Sequence, residues 1–76
     1  MKLSDEEIFE FIKCAEELNE LSAVLIQQVT KPKKNLRKRI LSEIGDTLYR
    51  MWPIINLFDE DEVELAVKKN EKKQKN

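Results

Sequence analysis

One break, Thr30-Lys31-Pro32-Lys33, divides the chain into two long runs of helical period. Pro32 lacks the N–H that a helix interior needs, and its ring pushes Lys31 out of the α region. Before the break, Ile8, Phe11, Ile12, Ala15, Leu18, Leu21, Leu25, Ile26 and Val29 recur at helical spacing, with one polar gap at Ser22. After it, Leu36, Ile40, Ile44, Leu48, Met51, Ile55 and Phe58 do the same. Two such runs can pack as antiparallel neighbours. No strand pattern and no internal repeat competes with this reading.

The ends of the runs carry helix punctuation. Ser4-Asp5-Glu6-Glu7 reads as a capping box that opens helix 1, which then runs to about Val29. Asn35 is the expected N-cap of helix 2. Pro53 falls late in that helix and is expected to kink it or split it after Trp52. Asp59 with Glu62 opens a third helix, with acids in its first turns and lysines in its last, as the helix dipole favours. Beyond Lys72 the basic tail is expected to fray. The expected fold is all-α: one domain over residues 1–76, with two long helices and a C-terminal helix.

A chain of 76 residues has room for little core. Domains this small bury only about 60% of their unfolded surface, and oligomerisation is a usual remedy. One glycine, two prolines and 38% charged residues suit helices. Cys14 stands alone, so no intrachain disulfide forms, and a reducing cytoplasm is the expected setting. With no histidine, Cys/His zinc sites and Ser-His-Asp catalysis drop out. No apolar run approaches the ~20 residues of a membrane span, and no signal pattern opens the chain. Net charge is −1, with a basic stretch over Lys31–Arg39. That near-neutral total, and the lack of aromatic residues within the basic stretch, argue against nucleic acid as a partner.

Each long helix carries an acidic pair at a spacing of three: Glu17 with Glu20, and Glu43 with Asp46. Side chains three apart are surface neighbours, so each pair points two carboxylates one way. In an antiparallel hairpin the four can converge. A like-charge contact at ~4 Å costs on the order of 4 kcal/mol at an effective dielectric near 20. A hard cation with oxygen ligands, Mg²⁺ above all, relieves it. The bland alternative is a solvated face, with ion pairs from Glu43 to Arg39 and from Asp46 to Arg50, each four residues apart. On the wheel, Glu17 and Glu20 fall roughly opposite the main apolar stripe, beside Phe9 and Val24, so that face is expected to pack against something. Gly45, which costs a helix ~1 kcal/mol relative to Ala, is easier to explain if something approaches its backbone.

Glu16-Glu17-Leu18-Asn19-Glu20-Leu21 and Glu43-Ile44-Gly45-Asp46-Thr47-Leu48-Tyr49 closely resemble the MazG-like all-α nucleotide pyrophosphohydrolases. That family carries Glu-x-x-Glu on one helix and Glu-x-x-Asp on the next. The resemblance covers most of residues 12–73. Its tail portion is looser: Lys68, Lys69, Asn70 and Lys73 stand where the family places an Asn with basic neighbours.

The resemblance implies a homodimer or homotetramer in which Glu17, Glu20, Glu43 and Asp46 bind Mg²⁺. It implies hydrolysis of a (deoxy)nucleoside triphosphate to the monophosphate and pyrophosphate, with Glu16 or Glu17, or another of the acids, as the base for water. Lys69, Asn70 and Lys73 would grip phosphate, and Trp52 would contact the base. Phe9, Phe11 and Tyr49 are further stacking candidates. Two departures stand out. Family members often have an aromatic-containing segment before helix 1, whereas this chain begins only about a dozen residues before its acidic motif. In the tail, Ala66 falls where a Lys is usual and Lys73 where an Arg is usual. These leave a second class open, a non-catalytic helical interaction module on the same scaffold.

Overall fold

The computed structural model describes residues 1–74 and consists there of three helices without strands: α1 (Asp5–Thr30), α2 (Arg37–Ile55) and α3 (Glu60–Gln74). No helix among the described residues is long and apolar enough to cross a membrane. The capping box forms as expected. Ser4 Oγ accepts from the Glu7 N–H at 3.1 Å, and Glu7 Oε1 accepts from the Ser4 N–H at 2.8 Å.

At the break, Gln28 staples the turn. Its Nε2 donates to the Lys34 carbonyl at 2.7 Å, and its Oε1 accepts from the Leu36 N–H at 3.0 Å. The start of α2 corrects one expectation. Leu36, not Asn35, holds the cap position. Asn35 still caps in effect, because its Oδ1 accepts from the Arg37 N–H at 3.1 Å.

Pro53 corrects another: α2 is not split after Trp52 but continues through the proline to Ile55. A proline in the last turn removes one bond from a helix already about to end. The chain then closes in tight turns, Leu57 N–H to the Ile54 carbonyl and Phe58 N–H to the Ile55 carbonyl, each 3.0 Å. Asp59 precedes α3 and its carbonyl accepts from Glu62 and Val63. α3 stays helical to Gln74, and the last two residues of the expected frayed tail lie outside the described residues.

α1 and α2 pack along each other, while α3 makes only marginal contact with the pair. Among the described residues, the buried side chains are Cys14 and Val24 on α1 and Thr47 on α2. Around them, Glu17, Leu21, Ile40, Glu43 and Met51 are half-buried. The face of α1 turned to α2 is therefore not its main apolar stripe. Ile12, Leu18, Leu25 and Val29 of that stripe stay exposed, as do Leu41, Ile44 and Leu48 on α2.

Both exposed stripes lie on one broad side of the hairpin. At ~100° per residue, the α1 stripe around Leu18 and Ser22 lies about 120° further round than Cys14, Glu17, Leu21 and Val24. On α2, Ile44 and Leu48 lie about 100° beyond Glu43 and Thr47 by the same step. The same rotation on two antiparallel helices leads to the same side. Glu20 and Asp46 turn the other way, to the opposite side. The molecule is flat, with extents of 44 × 37 × 16 Å. That is little more than one helix layer, since a helix with its side chains is about 10–12 Å across.

Candidate metal centre

Antiparallel packing brings the two acidic pairs to the same level. Thr47 sets the register: its Oγ1 donates to the Glu17 carbonyl at 3.3 Å, tying α2 to α1 at the acidic motif. Thr47 was not singled out from the sequence. Its signal was there, because it follows Glu43 by four residues and so shares that residue's side of α2.

Glu17, Glu43 and Asp46 each offer a carboxylate oxygen, and these oxygens lie within 4.8 Å of one another. Glu20 lies near enough for its charge to raise both Glu17 and Glu43. Glu17 Oε2 and Glu43 Oε2 are shielded from water and meet no donor. Buried acceptors of this sort are costly unless partnered. Burial, then the charge of Glu20, raises the Glu17 carboxyl above its ordinary 4.5, with Asp46 and Glu43 adding to it. The Glu43 carboxyl is raised in the same way, by burial first and Glu20 next, and Arg39 opposes this only weakly.

The expected ion pairs do not form. Among the described residues, the one ion pair within 4.0 Å is Lys13 Nζ with Glu16 Oε2, at 3.4 Å. Arg39 instead reaches across to Gln27, its Nη1 donating to Oε1 at 3.0 Å. Arg50 lies over the Tyr49 ring, 5.7 Å from its centroid. Among the described residues, no cationic side chain comes within 4.0 Å of the four acids.

The donor set fits a hard divalent cation. It is all oxygen, without nitrogen or thiolate. Oxygens on opposite sides of Mg²⁺ stand about 4.2 Å apart, from its ~2.1 Å bond length, and the spread of the cluster is close to that. The two partnerless buried oxygens are what such an ion would satisfy.

The other candidate residues are placed differently. Glu16 is exposed, outside the cluster, and engaged with Lys13. Trp52 is 64% exposed on α2, two turns beyond Glu43 and turned away from the acids. It borders an open cavity of about 590 Å³ floored by Ile55, Phe58, Val63 and Val67, between the end of α2 and α3. Lys69, Asn70 and Lys73 are exposed on α3, where Asn70 Nδ2 donates to the Ala66 carbonyl at 3.1 Å. Within one chain, then, the acids come together, and the tail and Trp52 do not join them. No protein-family model, curated protein or solved structure matches the chain.

Proposed function

We propose that this chain is a Mg²⁺-dependent nucleotide pyrophosphohydrolase of the MazG-like type, cleaving a (deoxy)nucleoside triphosphate to the monophosphate and pyrophosphate as a homo-oligomer. The carrying observation is the convergence of Glu17, Glu43 and Asp46, with Glu20 beside them, and two buried oxygens that meet no donor and no cationic side chain among the described residues.

Glu17, Glu43 and Asp46 would hold the ion, with Glu20 bridging the pairs. When bound, the ion neutralises polyphosphate charge and makes a coordinated water more acidic. The chain supplies the rest. Thr47 fixes the level of Glu17 against α2. Glu17, poised as a proton acceptor by its surroundings, is better placed than Glu16 to receive a proton from attacking water. Arg39 and Arg50, on the same side as the acids and unpaired with them, are positioned to meet the outer phosphates. Lys69, Asn70, Lys73 and Trp52 would join the site only by way of another subunit or a movement of α3.

Pyrophosphate release from a panel of nucleotides with Mg²⁺ tests this reading. Turnover by the parent, lost in Asp46→Asn, is the expected result. A folded parent inert towards every common nucleotide would replace it with the interaction-module reading.

A further inference from the structure

The open cavity between the end of α2 and α3 has no part in the acidic cluster. Its floor is apolar: Trp52, Ile55 and Phe58 come from α2 and the turn after it, Val63 and Val67 from α3. Because α3 makes only marginal contact with the hairpin, the two walls do not close on each other. Phe58 and Val67 stay 43% and 53% exposed beside Trp52. Apolar side chains gathered around a concave space mark an interaction site.

The rim sets the charge of what fits there. Glu60, Glu64 and Glu71 stand at spacings of four and seven, so at ~100° per residue they form one stripe along α3, beside Val63 and Val67. Asp61 adds a fourth acid, and Lys68 is the one cation among the lining residues. Among the described residues, none of the five comes within 4.0 Å of an opposite charge. A nucleotide, a nucleic acid or an anionic lipid surface would meet repulsion here.

The shape sets its fold. The described residues contain no strand, so no sheet edge is there to be extended. A groove walled by two helices takes a third, whose side chains at spacings of three, four and seven enter it together. From Glu60 to Glu71 the acidic stripe runs ~16 Å at ~1.5 Å per residue, about three helical turns.

We propose that this groove docks an amphipathic helix of a partner protein, its apolar face on Trp52, Phe58, Val63 and Val67 and its flanking lysines or arginines on Glu60, Glu64 and Glu71. The apolar contact supplies most of the affinity, and the charges set orientation and choice of partner. Docking also fixes α3, which the hairpin itself holds loosely. The groove is separate from the carboxylates of the metal reading, and neither Mg²⁺ nor nucleotide enters its test.

The probe is a synthetic helix of about 14 residues, with leucines at spacings of three, four and seven and lysines on both flanks. Its twin carries glutamates in place of the lysines. Trp52 is the one tryptophan of the chain, so its fluorescence reports cover over the groove. The lysine helix should bind the parent and shift Trp52 emission to shorter wavelength, more weakly as salt rises. The glutamate twin should not bind. Glu64→Lys/Glu71→Lys changes two exposed positions beyond the first turn of α3. It should weaken binding of the lysine helix roughly tenfold and bind the glutamate twin instead, a gain that separates lost docking from lost folding. Val67→Asp should abolish the emission shift.

No binding of the lysine helix by the parent, or equal binding of both helices, overturns the proposal. So does an emission shift that Val67→Asp leaves intact, which would place the helix on the apolar side of the hairpin. Sedimentation of the parent and the double variant should give the same mass. A lower mass for the variant would assign the groove to the basic Lys31–Arg39 turn of another copy and overturn the proposal as well.

Discussion

The two broad sides of the hairpin come from the same two helices and present opposite problems to water. One side gathers carboxylates that repel and leaves buried oxygens without donors. The other gathers aliphatic side chains with no second layer over them. Neither is at rest in an isolated chain, but the remedies differ in kind: a cation for the first, a protein surface for the second. Changes on the acidic side should therefore remove function and spare the fold, and changes on the apolar side should do the reverse.

The largest expected effect breaks the acidic side. Glu20→Gln and Asp46→Asn keep size and remove charge. Removing only an outer partner of a metal ligand commonly costs 10–100-fold, so loss of a ligand should lower turnover by more than about a hundredfold. Glu10→Gln, in a Glu-x-x-Glu with Glu7 outside the cluster, is the control and should match the parent. Nucleotide hydrolysis by all four proteins decides it. Equal rates would remove the metal centre from the chemistry.

Next in size is the cation's effect on stability. Mg²⁺ at a hundredfold excess over Kd should raise stability by about 2.7 kcal/mol. Thermal melts with matched ionic strength would show it, and Asp46→Asn should lose most of the gain. A gain of the same size in Asp46→Asn would mean that the ion acts elsewhere.

A smaller effect has a definite sign. The Glu17 and Glu43 carboxyls are raised above their ordinary 4.5 in the folded chain, by burial and by Glu20. The folded state thus holds protons that the unfolded state releases, so stability falls as pH rises from the unfolded value through the raised folded one and levels off above it. Without divalent cations, the parent should melt lower at neutral pH than near pH 4.5, beyond whatever slope the Glu17→Gln/Glu43→Gln double variant retains. Mg²⁺ competes with these protons, so its stabilisation should grow as pH rises. A parent whose pH slope equals that of the double variant would show that the two carboxyls titrate normally.

The sequence foretold these regions unequally, for physical reasons. Local signals read well: the Ser4 box, the break at Pro32 and the acids opening α3 all depend on neighbours within a few residues. The meeting of Glu17, Glu43 and Asp46 was legible on the condition of antiparallel packing, since each pair's spacing of three turns its carboxylates one way. Which flank of α1 meets α2 was legible in part: the face of Glu17 and Val24, expected to pack against something, does meet α2, while Leu18 and Leu25 of the wider apolar arc stay exposed. Glu17 accordingly lies along the helix seam rather than opposite all packing. The arginine partners misled because spacing of four permits an ion pair without requiring one. Gln27 and Tyr49 offered Arg39 and Arg50 other company. The position of α3 follows from no local pattern, since its mixed composition marks no single face for burial.

The smallest effect sits on the ridge between the two sides. Gly45 points away from α1, and a Cβ added there would meet nothing within 4 Å. Its φ is not positive, so no backbone strain calls for glycine. Within one chain, Gly45→Ala should therefore stabilise by about 1 kcal/mol, the ordinary helix preference for Ala. Melting of the variant beside the parent, with sedimentation and turnover in parallel, tells which side approaches that backbone. Higher stability with unchanged mass and rate would mean that neither does. Higher stability with slower turnover would mean that the substrate passes over Gly45 from the acidic side. Lower stability with a reduced mass would mean that a second copy reaches further round α2 than Leu48, and that the boundary between the two sides runs through Gly45 itself.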